Sequence, residues 1–132
     1  MIIGIGLDLA SIDFWTHVLG DPSTSVLEGT FTEGELADAA TGPTPQAHRL
    51  AARFAAKEAF IKSLGGSRKG NAPLTPRLDP QLVEVILDDF GRPALRLHGE
   101  AREIADALGV RHIWVSLSHE EQMAAATVIL EG

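Results

Sequence analysis

Large apolar and small or polar side chains alternate along the first residues of the chain. Over residues 2 to 9, every odd position holds Ile or Leu, whereas positions 4, 6 and 8 hold Gly, Gly and Asp8. A period of two predicts a half-buried strand with Asp8 on the glycine side. Glycines in a strand indicate close approach of another backbone or a ligand, so we expect a surface clear of side chains beside Asp8. The alternative is an ordinary strand end that faces solvent.

The rest of the pattern predicts both helices and strands. A period near 3.6 residues predicts helices at 12–19, after an N-cap at Thr32, at 46–64 and at 99–108. Short apolar runs around turn residues predict two hairpins, with strands at 82–87 and 94–97, and at 112–118 and 122–130. This order is typical of an α+β fold with an antiparallel or mixed sheet. We expect one domain over residues 1–132.

The longest predicted helix, Gln46–Leu64, contains charged residues on its apolar side. It is followed by Gly65 and Gly66, which are typical of a helix C-terminus. On a helical wheel, Lys57 falls inside the apolar stripe and Glu58 lies at its edge. Such a lysine either extends its ammonium group to solvent or is held against a buried anion or metal.

The charges are concentrated in one basic segment of an acidic chain. The net charge is −7, yet residues 51–80 carry six bases and two acids, a net charge of +4. The segments before and after carry −6 and −5. This distribution favours a small polyanion as the ligand and argues against a nucleic acid.

The sequence lacks cysteines and long apolar runs, and this excludes further kinds of site and classes of protein. There is no cysteine, so a thiol nucleophile and a thiolate metal site are excluded. No run of about 18 apolar residues occurs, and the N-terminus lacks the basic start of a signal peptide. We therefore expect a cytoplasmic protein without membrane contact, in which carboxylate, imidazole or water holds any metal.

One group of charged residues could carry chemistry. Asp8 lies on the predicted strand and Glu58 on the long helix, which also carries Arg53, Lys57 and Lys62. Two carboxylates suit Mg²⁺ with phosphate oxygens in its shell, and nearby cations stabilise charge on a leaving oxygen. Spacing alone does not show that Asp8 and Glu58 meet.

Two other segments have competing interpretations. The loop 66–80 carries Arg68, Lys69 and Arg77, and it is either a solvated loop or a phosphate contact. The residues after Gly70 do not match a P-loop, so a nucleotide hydrolase ranks last. Ser118-His119-Glu120 places triad residue types next to one another, which favours a polar turn over nucleophilic catalysis.

Four segments of the chain resemble a known family, the holo-[acyl-carrier-protein] synthases, which are short phosphopantetheinyl transferases. The resemblance runs from residue 1 to about 131 and is most specific in the strand Gly-x-Asp and the helix Lys-Glu-Ala-x-x-Lys. The matching segments are Gly4–Leu9, Arg53–Gly65, Gly91–Pro93 and Val115–His119.

The resemblance implies a phosphopantetheinyl transferase-like fold, in which the sheet packs against a long central helix. It implies Mg²⁺-dependent transfer of the 4′-phosphopantetheine arm from coenzyme A to a serine of an apo acyl carrier protein, which releases adenosine 3′,5′-bisphosphate. Asp8 and Glu58 match the Mg²⁺ ligands, and either Glu58 or a water is the base. The residues expected to face the phosphates or line the nucleotide pocket are Arg53, Lys57, Lys62, Gly65, Pro93 and His119.

The family also implies an assembly and leaves one functional alternative. Its short members form homotrimers with the pocket between subunits, so His119 and Pro93 would complete the site of a neighbouring chain. The alternative function is a catalytically weak module that binds coenzyme A or a carrier protein.

The chain departs from the family in its first helix. Ser11 and Phe14 replace the family's usual Glu and Arg, and no Lys or Arg occurs before Arg49. Phe14 and Trp15 either offer an apolar contact to the carrier or belong to the core. We expect a less acidic carrier, from a polyketide or specialised fatty-acid pathway.

Overall fold

A computed structural model describes all 132 residues. The chain forms five strands and five α-helices, with one short 3₁₀ turn at Pro80–Leu82. In chain order they are β1 (Ile2–Ser11), α1 (Ile12–Leu19), α2 (Val26–Thr30), α3 (Glu33–Ala39), α4 (Gln46–Ser63), β2 (Val83–Leu87), β3 (Pro93–Leu97), α5 (Gly99–Leu108), β4 (His112–His119) and β5 (Met123–Glu131). The predicted α+β class is confirmed.

The strands form two antiparallel sheets. The larger sheet has the order β1-β5-β4, and β2 and β3 form a separate hairpin. Asp8 lies opposite Ala126 on β5, and His119 lies opposite Ala124. Every pair is antiparallel, so the mixed arrangement does not occur.

Helix α4 packs on one face of the larger sheet, against the glycine side of β1. A Cβ atom added to Gly4 or Gly6 would lie 1.8 Å from the carbonyl oxygen of Ser63 or Ala59, respectively. The predicted close approach is therefore confirmed, and the approaching backbone is that of α4. The opposite side of β1 is open, because Leu7 is 58% exposed and its apolar neighbours along the strand are similarly bare.

Local sequence explains several helix ends. The Ser11 side chain accepts a hydrogen bond from the Phe14 backbone and begins α1, while Gly109 ends α5 in the left-handed conformation with φ 79°. The five-residue helix α2 is too short to give a periodic signal and was not predicted.

Trp15 is in the core, whereas Phe14 is exposed. None of the five α-helices combines the length and the apolar composition that a membrane span requires.

Candidate active site

Lys62 contacts Asp8 where α4 crosses β1, and Glu58 lies within electrostatic reach of both. The glycines of β1 let the helix backbone approach closely, so residues on the adjoining side of α4 reach the strand. Lys62 Nζ lies 2.8 Å from Asp8 Oδ1 and also donates to the Leu7 carbonyl oxygen at 3.2 Å. The Asp8 side chain is only 14% exposed, whereas that of Lys62 is 56% exposed. The structure thus joins Asp8 of the strand to Lys62 of the helix, a contact that spacing alone did not show.

The charges at this site influence one another. Burial raises the pKa of Glu58, the neighbouring Asp8 carboxylate raises it further, and Lys62 opposes the shift. The hydrogen bond to Asp8 raises the pKa of Lys62, and the negative charge of Asp8 raises it further. Two carboxylates thus share one ammonium group, and a divalent cation would relieve the repulsion between them.

The residue types fit a hard cation such as Mg²⁺. Mg²⁺ is usually held by one or two carboxylates and completes its shell with water and phosphate oxygens. Asp8 and Glu58 supply this donor set, and no group of three or more His, Cys, Asp or Glu side chains is placed to hold a metal. The pair therefore suits an ion that a phosphate substrate helps to bind.

A cleft adjoins Lys62 at the end of α4. It has a volume of about 330 Å³ and lies between the helix end and the following loop. Its polar wall includes Lys62, Gly65 and Arg68, and its apolar wall includes Ile61 and Leu74. Arg68 folds back on its own loop, because its Nε and Nη2 atoms donate to the Ala72 carbonyl oxygen. The loop 66–80 is thus one wall of a cleft beside the site.

Lys57 has a different environment from the one predicted by the resemblance. Its side chain is fully buried, and Nζ donates to Glu35 Oε1 at 2.6 Å and to the carbonyl oxygens of Pro80 and Val83, each at 2.8 Å. An ammonium group has three donors, and all three are used. The prediction that Lys57 faces the phosphates is therefore wrong, and the alternative of a lysine held against a buried anion is confirmed.

Arg53 also points away from the carboxylate pair. It precedes Lys62 by nine residues, about 180° around an α-helix, and is 3% exposed. Burial lowers the pKa of Arg53, and the charges of Asp38 and Glu35 oppose this shift. The prediction that Arg53 lies beside Glu58 and Lys62 is wrong for a single chain, because Arg53 faces the acidic residues of α3.

Glu35 is the residue that sequence reasoning missed. The segment from Thr32 to Glu35 carries the pattern of a helix N-cap followed by acids, and the structure shows a capping box between these two residues. The capping signal was visible in the sequence. Its burial was not, because the carboxylate is covered by residues from distant parts of the chain and is 1% exposed.

His119 and Pro93 lie apart from this site within one chain. His119 ends β4, which is separated from β1 by β5, so it lies at the other edge of the sheet from Asp8. Its ring packs edge-on against that of His48, with 5.4 Å between the centroids. Pro93 begins β3 in the smaller sheet. A single chain therefore does not bring these two residues to the carboxylate pair.

Comparisons with known proteins agree with these motifs. The family model of the 4′-phosphopantetheinyl transferase superfamily matches residues 4–128. The chain is 44% identical over 131 residues to the holo-[acyl-carrier-protein] synthase of Mycobacterium ulcerans, with 98% of this chain and 97% of that protein covered.

Solved structures show the same fold. The acyl carrier protein synthase of Mycobacterium tuberculosis has a TM-score of 0.76 and 41% identity, and the match covers 99% of this chain and 98% of that one. The ACPS–CoA complex of Chronobacterium ammoniagenes has a TM-score of 0.83 and 33% identity, covering 96% and 95% of the two chains. The chain therefore belongs to the holo-[acyl-carrier-protein] synthase family of the 4′-phosphopantetheinyl transferase superfamily.

Proposed function

We propose that this protein transfers the 4′-phosphopantetheine arm of coenzyme A to a serine of an apo acyl carrier protein. The observation that carries the proposal is the contact of Lys62 with Asp8, with Glu58 in electrostatic reach of both, in a chain of this family. The names of the relatives, and the complex of one of them with CoA, support the same substrates.

The reaction needs a nucleophile, a base and a stabilised leaving group. The carrier serine oxygen attacks the β-phosphorus of coenzyme A, and the bond from this phosphorus to the bridging oxygen breaks to release adenosine 3′,5′-bisphosphate. The serine proton passes to Glu58 or to a water, and the raised pKa of Glu58 suits it to accept a proton. The Lys62 ammonium group stabilises charge on the leaving oxygen.

Asp8 and Glu58 are the proposed ligands of Mg²⁺. When bound, Mg²⁺ neutralises charge on the pyrophosphate. The cleft beside Lys62 and Gly65 is the proposed entry for coenzyme A, and Arg68 in its wall is the proposed phosphate contact of the loop. Lys57 and Arg53 are left out of the phosphate site, because both are buried on another side of α4.

The proposed assembly is a homotrimer with the site between subunits. The open face of the larger sheet supports it, because this face presents exposed Ile5, Leu7, Leu9 and Trp114 to solvent in a single chain. His119 and Pro93 of a neighbouring subunit are the proposed remainder of the nucleotide pocket. Light scattering tests this assembly, with Leu7→Glu expected to give inactive monomers and Leu87→Glu, on the smaller sheet, as the control.

The carrier is expected to contact α1, which directly follows β1 and its Asp8. Phe14 is half exposed on this helix and is the proposed apolar contact. A polyketide or fatty-acid pathway, the cytoplasmic location and a single domain over residues 1–132 stay predictions.

Intact-mass spectrometry of apo carrier proteins, incubated with the protein, coenzyme A and Mg²⁺, tests the transfer. A carrier is expected to gain about 340 Da, the mass of the arm, and Glu58→Gln is expected to abolish the gain. Bound coenzyme A without any mass gain on a panel of carriers would instead indicate the binding module.

A further inference from the structure

The buried pair of Lys57 and Glu35 joins several elements on a different side of α4 from the site. Besides the Lys57 ammonium group, Glu35 Oε1 accepts the Thr32 backbone N–H at 3.0 Å, and Oε2 accepts the Val85 backbone N–H at 2.9 Å. Both residues are almost completely buried and all their polar atoms are paired. The pair therefore links α3, α4 and β2 and has no free atom for a ligand.

The contact between α4 and β1 has no interlocking side chains, unlike the contacts of Lys57 and Glu35. Gly4 and Gly6 lie directly against the backbone of α4, without side chains that could interlock. At this contact α4 presents Ala59 and Ser63, and six of the eleven residues that the whole helix buries are alanines. Small side chains form low ridges, so packing on this side gives a weak barrier to rotation or sliding of the helix.

Specific polar contacts can supply the constraint that smooth packing lacks. Lys57 precedes Glu58, and the two side chains leave the helix about 100° apart. A rotation of α4 that broke the contacts of Lys57 would also swing Glu58 and Lys62 relative to Asp8. Buried polar groups resist such a movement, because leaving them unpaired is unfavourable.

We infer that Lys57 and Glu35 are a positioning pair, which sets the rotation of α4 and so places Glu58 and Lys62 opposite Asp8. This inference rests on the proposed function, because it concerns the placement of the proposed metal ligand. Lys57 also holds the carbonyl oxygens of Pro80 and Val83, at the far end of the loop that walls the cleft. The same side chain therefore ties both the helix and this loop to one point.

The test replaces the pair without leaving a buried charge. The double variant Glu35→Gln with Lys57→Met removes both charges and keeps similar side-chain volumes. Proteins often tolerate such a replacement of a whole buried ion pair. Its folding is followed by circular dichroism and urea unfolding. Glu35→Gln alone is the second variant, which keeps the Lys57 side chain and its two backbone acceptors but leaves the buried ammonium without its anion, so urea unfolding first shows that it folds. The matched control is Arg102→Met with Asp106→Asn, which removes an exposed ion pair on α5.

Mn²⁺ binding, measured by electron paramagnetic resonance, reports on the carboxylate pair without coenzyme A or carrier. The double variant is expected to bind Mn²⁺ about 10–100-fold more weakly, as when residues that orient metal ligands are replaced. The kcat of the double variant should fall together with its Mn²⁺ affinity, whereas its KM for coenzyme A should stay within about threefold of the wild-type value. Glu35→Gln should weaken Mn²⁺ binding less, and the control variant should match the wild type.

Two results of the binding and kinetic measurements would overturn the inference. Folded variants that bind Mn²⁺ and turn over like the wild type would reduce the pair to a contribution to stability. A raised KM for coenzyme A with unchanged Mn²⁺ affinity would show that the pair acts on the loop of the cleft and does not set the rotation of α4.

If the wild-type protein binds no Mn²⁺, the proposed metal site is refuted. The positioning role is then tested by a crystal structure of the double variant. That structure is expected to show the Lys62–Asp8 contact, 2.8 Å in the wild type, broken by movement of α4. An unchanged contact would overturn the positioning role by itself.

Discussion

Two lysines of one motif, Lys57 and Lys62, have opposite environments on the same helix. Lys57 is fully buried and uses its three donors on Glu35 and two backbone carbonyls. Lys62 is half exposed and contacts Asp8 and the Leu7 carbonyl. The step of five positions from Lys57 to Lys62 turns the side chain by about 140° around the helix. The comparison teaches that a shared motif does not give its residues a shared role, because each role depends on what packs against that side.

The side of α4 that faces β1 carries the proposed chemistry, and loss of Glu58 is expected to have the largest effect. Glu58→Gln keeps the size of the side chain and removes the charge needed for a metal ligand or base. We expect turnover to fall at least about 10³-fold, as for loss of a central electrostatic group. Steady-state kinetics measure it, with the exposed Glu103→Gln on α5 as the control. Turnover within tenfold of the wild type would refute the role of Glu58.

The two lysines should separate stability from catalysis. Lys57→Met leaves the Glu35 charge buried without a partner, so the free energy of unfolding should fall by about 3–5 kcal/mol. Lys62→Met should leave stability nearly unchanged and lower kcat about 10²-fold. Urea unfolding and kinetics on both variants measure the difference. Equal destabilisation by both substitutions would remove the distinction.

The close packing of β1 on α4 can be disturbed by one methyl group. In Gly6→Ala the new Cβ would meet the Ala59 carbonyl oxygen, so the helix must move away from the strand. We expect a loss of about 1–3 kcal/mol in the free energy of unfolding, together with weaker Mn²⁺ binding. Gly29→Ala is the control, since nothing lies within 4 Å of its added Cβ. Equal stability of the two variants would contradict the close approach.

Burial and Asp8 raise the pKa of Glu58, which gives a smaller, pH-dependent effect. Metal binding requires the carboxylate, so kcat/KM should fall with decreasing pH at a higher pH than for an ordinary Glu. Lys62 lowers the pKa of Glu58, so the acid limb should move upward in Lys62→Met. A pH profile of both proteins checks this, and coincident acid limbs would contradict the coupling.

The same shift has a consequence for stability. A carboxyl group with a raised folded-state pKa stabilises the fold below its unfolded pKa, and this contribution disappears as pH rises through the folded pKa. The charge on Glu58 therefore opposes folding at neutral pH. Glu58→Gln should lose activity without losing stability, unlike Lys57→Met.

The smallest expected effect concerns the carrier. Because α1 has no Lys or Arg, its contact with a carrier should depend little on charge. We expect carrier affinity to change less than about threefold between low and high salt, measured by calorimetry. A steep loss of affinity with salt would place the carrier on a basic surface elsewhere.

Local patterns gave most of the elements. The bounds of α1 and α5 agree with the predictions, and α4 ends one residue before the predicted end. The glycines of β1 correctly indicated a close backbone contact. Alternation and helix caps act between near neighbours, so they are visible in a single sequence. The short α2 and the division into two sheets depend on distant contacts and were missed.

The site was predicted in part. The sequence placed Asp8 on a glycine-cleared strand and Glu58 at the edge of a helix stripe, and the charge of Asp8 does act on Glu58. It placed Lys57 and Arg53 with them, although both face the α3 side. Periodicity identifies which side of a helix is buried. It does not show which other element packs against each residue on that side.

The sequence by itself determined most of the elements, the family and the two carboxylates for which we propose a metal, because these follow from local spacing and residue type. Only the tertiary structure decided which lysine serves the site and which is held by Glu35. The reason is physical, since burial and charge at a side chain are set by residues far away in the chain. Glu35 and Lys57 are separated by 22 positions and meet only after α3 packs on α4.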